Sequence, residues 1–381
     1  MGQGVRGTMD HQQNENSIPA AQSPVTDSFV LKGNIQRGDL APWWNQGSYK
    51  FAFDAFGGRY IVLNFYRTYR DEIGRESLQV LNDQRTLIGN QNTVFFCVSS
   101  DFRDKTQCHV DTRFPQLRFL WDIDGTITRA YGVGSGRMWI VLDPMLRVLE
   151  VIPYRRDGSD RLALRALLEG LPAPAGHVGI ETVAPVLLLP NVFEPEFCQY
   201  LISCYETSGG RESGFMQELQ GKTAEVYDSD WKRRKDLYIA DPRLIDLIKT
   251  RLSRRVGGIL QRVFQFQMSR VERFLVACYS AEDAGHFGPH RDDTIKATEH
   301  RRFAASINLN TEFDGGELIF PEYGPRAFKP PTGCGLIFSA SILHQVTRVM
   351  QGRRYVFLPF FHDEQAEKVR LQNLQDLHGG S

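Results

Sequence analysis

A proline-rich break divides the chain into two halves whose hydrophobic patterns differ. The segment Leu171-Pro-Ala-Pro-Ala-Gly176 combines two prolines with small residues, a composition that interrupts helices and strands. The chain has 381 residues, which fits two domains of about 100–200 residues each. We therefore predict one domain over residues 26–172 and a second over 186–365, joined by a linker over 173–185.

The first half alternates strand-like and helix-like segments. Apolar runs of strand length occur at 60–66, 93–98 and 138–142, and apolar residues recur at helical spacing over 74–88. Strands that alternate with helices are typical of a sheet that contains parallel strands and is covered by helices. The sequence therefore predicts an α/β fold for this domain.

The second half begins with helical patterns and then changes character. Helices are indicated over 194–207 and, as one or two segments, over 242–266. After about residue 270, short apolar strands follow one another at intervals of roughly 10 residues, separated by turns with Gly or Pro. These strands are expected at 274–279, 303–309, 316–320, 335–338 and 355–358. The pattern predicts an antiparallel sandwich or jelly roll with flanking helices.

Composition limits the partners and the compartment. Lys plus Arg and Asp plus Glu number 45 each, so no basic excess is available for phosphate contacts, and we expect no nucleic-acid partner. No apolar run approaches the ~20 residues of a membrane-spanning helix, and the first 20 residues hold no secretory signal. We expect a cytoplasmic protein with no membrane association, a disordered polar tail over 1–25 and a polar C-terminal tail over 366–381.

A histidine and an aspartate stand two residues apart, at His290 and Asp292. Residues two apart in a strand point to the same face, so both side chains can bind one ion. His344, 52 residues after Asp292 and just beyond a predicted strand, supplies a third donor. Two histidines and one carboxylate form the facial triad of non-haem iron(II) oxygenases, which leaves coordination positions open.

A fourth residue extends this pattern. Arg354 lies ten residues after His344, where its guanidinium could bind the distal carboxylate of a 2-oxoacid in a bidentate pair. Together these residues resemble the prolyl 4-hydroxylase-like branch of the 2-oxoglutarate/iron(II) dioxygenases, a resemblance that runs from Val186 to His362. The matching segments are Tyr279, His290-x-Asp292, 302–309, 314–318, 331–338, His344 and Arg354.

The resemblance implies a double-stranded β-helix and a defined chemistry. Iron(II), 2-oxoglutarate and dioxygen would hydroxylate an aliphatic carbon of a peptidyl or free amino acid, or of a related small molecule, releasing succinate and carbon dioxide. It also implies that Tyr279 contacts the co-substrate and that ascorbate serves as a reductant. Halogenating relatives lack the carboxylate ligand, so Asp292 favours hydroxylation or a related oxidation.

Other histidines and another metal chemistry are possible assignments for this region of the sequence. His286 lies four residues before His290, but Gly288-Pro289 between them breaks helical spacing, which disfavours it as a ligand. A zinc hydrolase could use the same triad, although such a site has no use for Arg354. His300 and His362 have no partner in the pattern and are expected to be ordinary polar residues.

The first domain resembles the peroxiredoxin branch of the thioredoxin-like fold over most of 26–172. The segments that carry this resemblance are 38–42, 59–66, 94–101, 130–133 and 137–143. The family's active-site cysteine would fall on or near Gly74, and its threonine on Asp71, so both are missing here. Arg137 matches the family's arginine, but without a thiolate we expect no peroxidase activity.

A second motif in this domain imitates a phosphatase. Asp122-Ile-Asp124-Gly-Thr resembles the nucleophile motif of haloacid-dehalogenase phosphatases. The residues that follow offer no suitable lysine or magnesium-binding acidic pair, and Asp-x-Asp-Gly is also a favoured turn. We therefore interpret Asp122 and Asp124 as structural.

Substrate contacts are the least defined part of the prediction. Ser213, Phe215 and Arg302 are candidates to line the substrate site. The basic run 232–235 is a further candidate to line its entrance, although a solvated helix or loop face is the favoured interpretation of that run. The first domain is expected to form a homodimer, bind a protein partner or present substrate. Two rival hypotheses are a non-catalytic scaffold built from both domains and a redox-sensing protein centred on the first.

Overall fold

The computed structural model describes residues 35–44, 53–83, 92–107, 116–134, 136–219 and 222–378. The predicted tail over 1–25 lies outside them, as does the end of the helix predicted over 74–88. The elements of the first part, apart from a 3-10 turn at Phe53–Phe56, are β1 (Tyr60–Arg67), α1 (Glu72–Asp83), β2 (Thr93–Ser99), α2 (Phe102–Gln107), β3 (Leu117–Trp121), α3 (Thr126–Ala130), β4 (Met138–Leu142), β5 (Val148–Pro153) and α4 (Ser159–Glu169).

The strands of this first part form a mixed sheet in the order β3-β2-β1-β4-β5. β1, β2 and β3 run parallel, whereas β4 is antiparallel to β1 and β5 to β4. Helices connect the parallel strands, as the alternating pattern predicted. The α/β prediction is therefore confirmed at the level of a mixed sheet with helices.

Strand β1 shows why its sequence is apolar without interruption. Successive side chains of a strand point to opposite faces of the sheet. Ile61 and Leu63 enter one hydrophobic core, while Val62 and Tyr66 enter the core on the other face. Because both faces are covered, nearly every position of the strand must be apolar.

The second part contains many short strands and four helices within the described residues. Its elements are β6 (Leu187–Leu189), α5 (Pro195–Ser208), β7 (Arg211–Glu212), β8 (Phe215–Leu219), β9 (Lys222–Val226), β10 (Lys232–Arg233), β11 (Lys235–Tyr238), α6 (Pro242–Leu252), α7 (Gly258–Phe264), β12 (Arg270–Glu272), β13 (Leu275–Ser280), β14 (His286–His290), β15 (Phe303–Asn308), β16 (Phe313–Gly315), β17 (Leu318–Ile319), β18 (Ala327–Phe328), β19 (Gly335–Ser339), β20 (His344–Val346), β21 (Val349–Phe357), β22 (Phe360–His362) and α8 (Glu364–His378).

Two antiparallel sheets of these strands face each other. The smaller has the order β10-β14-β20-β17-β18, and the larger follows the path β12-β22-β15-β21-β13-β11-β7 with β16, β19 and β6 attached. One apolar core lies between the sheets, and a second lies between the larger sheet and the helices α5, α6 and α7. This is the double-stranded β-helix that was predicted, with its flanking helices.

Two segments differ in structure from what their composition suggested. The polar C-terminal segment forms helix α8, anchored by the fully buried Ala366. The segment predicted as a linker contains a 3-10 turn at Pro174–Gly176, and Ala184 near its end is buried in the core between the two sheets.

Candidate active site

The three predicted metal ligands meet at one end of the smaller sheet. His290 ends β14, His344 begins β20, and the antiparallel register of these strands sets the two histidines directly opposite each other. Asp292 follows two residues after His290, and its carboxylate oxygens lie 3.7 Å from His290 Nε2 and 3.3 Å from His344 Nε2. The three donor atoms lie within 4.8 Å of one another, as a shared ion requires.

Hydrogen bonds to the backbone orient both imidazoles. His290 Nδ1 lies 2.8 Å from the carbonyl of Gly288, and His344 Nδ1 lies 3.0 Å from that of Ile342. A carbonyl can only accept, so each Nδ1 carries the proton and each Nε2 lone pair faces the shared position. Burial lowers the pKa of His290 to about 3, which keeps its imidazole neutral and able to bind a metal. The donor set therefore fits iron(II).

Arg354 lies in the interior of the same domain, next to Tyr279. The register pairs Arg354 on β21 with Tyr279 on β13, and its guanidinium lies 5.5 Å from the tyrosine ring centre. It donates hydrogen bonds to Ser306 Oγ at 2.7 Å and to Asn308 Oδ1 at 3.1 and 3.2 Å. Burial lowers its pKa to about 10, so it stays charged at neutral pH.

Among the described residues, no carboxylate lies within ion-pair distance of Arg354. Its hydrogen-bond partners among those residues are neutral, a hydroxyl and an amide. A buried cation without an anion is costly, and the cost falls when a carboxylate arrives as a ligand. The position and the positive charge of Arg354 are therefore those expected of a residue that binds an anionic co-substrate.

One cavity of about 660 Å³ contains the ligands and most of the other predicted site residues. Its lining includes the predicted residues His290, Asp292, His344, Arg354, Tyr279, Ser213 and Phe215. Arg302 is not part of that lining and instead donates to the carbonyl of Glu299 at 2.9 Å. Its neighbour Arg301 lines the cavity in its place.

The sequence favoured a solvated face for the basic run 232–235, but only two of its four residues are exposed. Lys232 and Arg234 are buried and line the cavity, whereas Arg233 and Lys235 are exposed. Arg234 pairs with the buried Asp236 at 2.7 Å, and Lys232 donates to Ser213 Oγ at 2.8 Å. The period-two alternation of a strand explains the division and was a signal available in the sequence.

Histidines outside the triad have other partners. Both ring nitrogens of His286 contact backbone carbonyls, those of Ala284 and Asp230, which leaves neither free to bind a metal. His300 and His362 are buried, contrary to expectation, and could hold an ion together with Glu272.

In the second group the Nε2 atoms of both histidines are engaged within the protein, while their Nδ1 atoms are buried without a hydrogen-bond partner among the described residues. His300 Nε2 bonds to Glu272, and His362 Nε2 bonds to Glu367 at 2.7 Å. Arg301 also pairs with Glu272 at 2.7 Å, which brings a fixed positive charge to the carboxylate that an ion would need. We therefore interpret the group as a hydrogen-bond network that contains the ion pair of Arg301 with Glu272.

The mixed-sheet domain has an arginine at the predicted position, and its charge is paired within the protein. Arg137 forms a bidentate pair with Asp71, which also caps helix α1 by accepting from Gly74 N at 2.8 Å. A Cβ added at Gly74 would lie 1.8 Å from the carbonyl oxygen of Thr68. The backbone thus leaves no room for a cysteine at position 74.

The phosphatase-like motif is structural. Asp122 is buried and accepts hydrogen bonds from the backbone N–H groups of Ile127 and Thr128, at 2.9 and 2.8 Å, and from the Thr128 hydroxyl. Its carboxylate therefore stabilises the first turns of α3 and is not available as a nucleophile.

No helix in the described part of the chain is long and apolar enough to cross a membrane.

Comparisons with known proteins agree with this geometry. Residues 274–362 match the 2OG-Fe(II) oxygenase superfamily. A PKHD-type hydroxylase of Synechococcus sp. (strain JA-2-3B'a(2-13)) is 33% identical over 107 residues, which are 25% of this chain and 47% of the relative. Another, from Thioalkalivibrio sulfidiphilus (strain HL-EbGR7), is 27% identical over 128 residues, which are 31% of this chain and 57% of the relative.

Among solved structures, a prolyl-4-hydroxylase of Pseudomonas putida aligns with 47% of this chain and 92% of its own, at 16% identity and a TM-score of 0.37. The chain spans about half the length of the curated relatives it matches. The second part of the chain therefore contains a 2OG-Fe(II) oxygenase domain, and the triad lies inside the matched residues.

Proposed function

We propose that this protein is an iron(II)- and 2-oxoglutarate-dependent dioxygenase that hydroxylates an aliphatic carbon of a peptidyl or free amino acid, or of a related small molecule. The observation that carries the proposal is the combination of the triad with Arg354, a buried cation that has no carboxylate partner among the described residues. A metal site alone would fit several reactions. The unpaired guanidinium in the same cavity favours a 2-oxoacid.

Each residue has a distinct part in this proposal. His290, Asp292 and His344 would hold iron(II), which with 2-oxoglutarate and dioxygen supplies the oxidant that hydroxylates the substrate and yields succinate and carbon dioxide. Arg354 would bind the distal carboxylate of 2-oxoglutarate, and Tyr279 would contact the co-substrate beside it. Ascorbate would keep the iron reduced.

The substrate would occupy the rest of the cavity. Ser213 and Phe215 line the cavity although they lie far from the ligands in sequence. Arg301 would line the substrate part of the cavity, as the sequence had suggested for Arg302. The buried pair of Arg234 and Asp236 adds polar surface to the wall. Such a mixed wall suits a substrate with both polar and apolar parts, as an amino acid or peptide has.

We further propose that the first domain is a thioredoxin-like domain of the peroxiredoxin branch without peroxidase activity. The three parallel strands, two antiparallel strands and connecting helices support this assignment. The pairing of Arg137 with Asp71 disfavours the rival hypothesis of a redox-sensing protein. The complete triad disfavours a non-catalytic scaffold.

The direct test is the turnover of 2-oxoglutarate. Purified protein with Fe(II), ascorbate, oxygen and 2-oxoglutarate should form succinate, slowly without substrate and faster with the right one. Candidate amino acids and peptides would be screened by mass spectrometry for the gain of one oxygen atom. Protein that contains iron but neither binds nor consumes 2-oxoglutarate would rule out the proposal.

A further inference from the structure

The mixed-sheet domain makes direct contact with the residue that separates two of the metal ligands. Arg291 lies between His290 and Asp292, and its guanidinium is buried. Its Nε lies 3.5 Å from Asp54 Oδ2, and its Nη2 donates to the Asp54 carbonyl at 3.4 Å. Asp54 lies in the 3-10 turn just before β1, so this ion pair joins the two sheet domains.

A second carboxylate extends the contact to the third ligand. Glu322 accepts from Arg291, with Nη2 to Oε1 at 2.6 Å and Nη1 to Oε2 at 3.2 Å. Oε2 of the same carboxylate accepts from the backbone N–H of Leu343 at 3.1 Å, and Leu343 immediately precedes His344. A single buried network therefore reaches the immediate neighbours of all three ligands.

The mixed-sheet domain packs closely against this network. A Cβ at Gly57 would lie 2.8 Å from Glu322 Cγ, and one at Gly58 would lie 2.5 Å from the Pro321 carbonyl oxygen. The Trp43 ring covers the Arg291 guanidinium, with 4.5 Å between the cation and the ring centre. Glycines at 57 and 58 thus permit a contact in which Asp54 and Trp43 enclose Arg291.

The same segment also forms part of the cavity wall. Trp43, Trp44, Asp54 and Ala55 all line the 660 Å³ cavity that contains the triad. Trp43 is 51% exposed, so a large apolar ring is presented at the cavity's edge. The cavity is therefore built from both domains, although the ligands come from one.

We infer that the mixed-sheet domain is a working part of the oxygenase site, in which Asp54 and Trp43 are positioning residues that act on the metal ligands through Arg291. The inference rests on the proposed function, since it assigns a role toward the same metal. A buried ion pair that fixes a ligand segment lowers the cost of arranging that segment around an ion. In this inference the domain supplies a support and a wall to the site of its neighbour.

The test measures metal binding in the full-length protein, without oxygen and without substrate. Co(II) serves as the probe, because its visible spectrum reports coordination geometry as well as occupancy. Asp54→Asn should weaken Co(II) binding about tenfold and change the spectrum, in line with the effect of other residues that orient metal ligands. Asp54→Glu should recover part of the affinity.

A matched control and a milder variant separate this role from general stability. Glu169→Gln removes an exposed ion pair in α4, in the same domain, and should leave Co(II) affinity and spectrum unchanged. Trp43→Leu removes the aromatic contact with Arg291 and should weaken binding about threefold. Because Trp43 is half exposed, this variant is expected to fold even if Asp54→Asn does not.

The outcomes distinguish this inference from the proposal on which it rests. Wild-type protein that binds no Co(II) would contradict the proposed function itself. Wild-type protein that binds Co(II), with Asp54→Asn and Trp43→Leu both within twofold of Glu169→Gln and identical in spectrum, would overturn only the role of the mixed-sheet domain.

Discussion

Each of the two domains has an arginine where a family resemblance predicts one, and the two arginines have opposite surroundings. Arg137 of the mixed-sheet domain is paired with Asp71, so its charge is neutralised within the protein. Arg354 of the β-helix domain has only a hydroxyl and an amide as hydrogen-bond partners among the described residues. A buried arginine without a carboxylate partner is expected where an anionic ligand binds. An arginine whose charge is already paired with a carboxylate of the protein has no such need for a ligand.

The surroundings of the two arginines extend this difference. Around Arg354 lie a cavity and a triad whose Nε2 atoms face a common point. Around Arg137 the backbone near Gly74 has no room for the side chain that would carry the chemistry. Matching an arginine to a family pattern is therefore weaker evidence of activity than the charge balance around it.

The largest effect is expected at the triad. His290→Ala and Asp292→Ala each remove a metal ligand and should lower 2-oxoglutarate turnover by more than about 1000-fold, since the metal supplies several kcal/mol of stabilisation. Succinate formation measures this. His286→Ala is the matched control, because its imidazole contacts only backbone carbonyls. If a triad variant kept 2-oxoglutarate turnover within tenfold of wild type, the β-helix domain would no longer differ from the mixed-sheet domain in having an active site.

The next effect compares the arginines directly. Arg354→Met should raise the 2-oxoglutarate concentration for half-maximal turnover about 100-fold, because a buried charge pair with the co-substrate is lost while the ligands stay in place. Arg137→Met should leave that concentration unchanged. Initial rates over a range of 2-oxoglutarate concentrations give both values. Equal responses of the two variants would mean that charge balance does not distinguish the sites.

A third experiment attempts to restore the missing chemistry. Gly74→Cys should not produce peroxide reduction in the presence of dithiothreitol, and it should destabilise the protein by about 3 kcal/mol because its Cβ meets the Thr68 carbonyl. Urea unfolding and peroxide consumption are the measurements. Gly74→Ala has the same Cβ without the sulfur and should lose as much stability. Peroxidase activity in the cysteine variant would show that the site is intact.

The smallest effect is expected from removing the acid that occupies the mixed-sheet site. Asp71→Ala breaks a partly exposed ion pair and the cap of α1, which should cost about 1 kcal/mol in urea unfolding. Turnover of 2-oxoglutarate should not change. Arg165→Ala, which breaks an exposed pair within α4, provides the baseline for a surface ion pair. A change in turnover would mean that Asp71 acts on the oxygenase site.

Local patterns were sufficient to predict the iron site. His290 and Asp292 are two residues apart, a spacing that predicts a shared face, and they do share an ion position although the strand ends at His290. His344 and Arg354 were found because they come in a fixed order relative to short predicted strands. The longer apolar strands, such as β1, β2, β13 and β15, were predicted from runs of matching length, whereas the short strands β14 and β20, which carry the two histidines, were not.

Other features depend on contacts that no local pattern records. Asp54 and Arg291 are 237 residues apart in sequence, and no local sequence pattern around either residue predicts their contact. Arg302 was predicted to line the cavity, but Arg301 lines it instead. The turn before β15 determines which of these two adjacent residues faces inward. For Lys232 and Arg234, strand alternation marks the two residues as sharing one face, but only the tertiary structure shows that this face is buried.

The register that sets His290 opposite His344 also ties metal supply to the survival of the folded chain. An ion bound by both residues joins β14 to β20, and the unfolded chain has no equivalent arrangement to offer it. A metal present at 100 times its dissociation constant adds about 2.7 kcal/mol to the free energy of unfolding. In a cell, scarcity of iron would therefore lower not only the rate of hydroxylation but also the number of molecules that escape proteolysis.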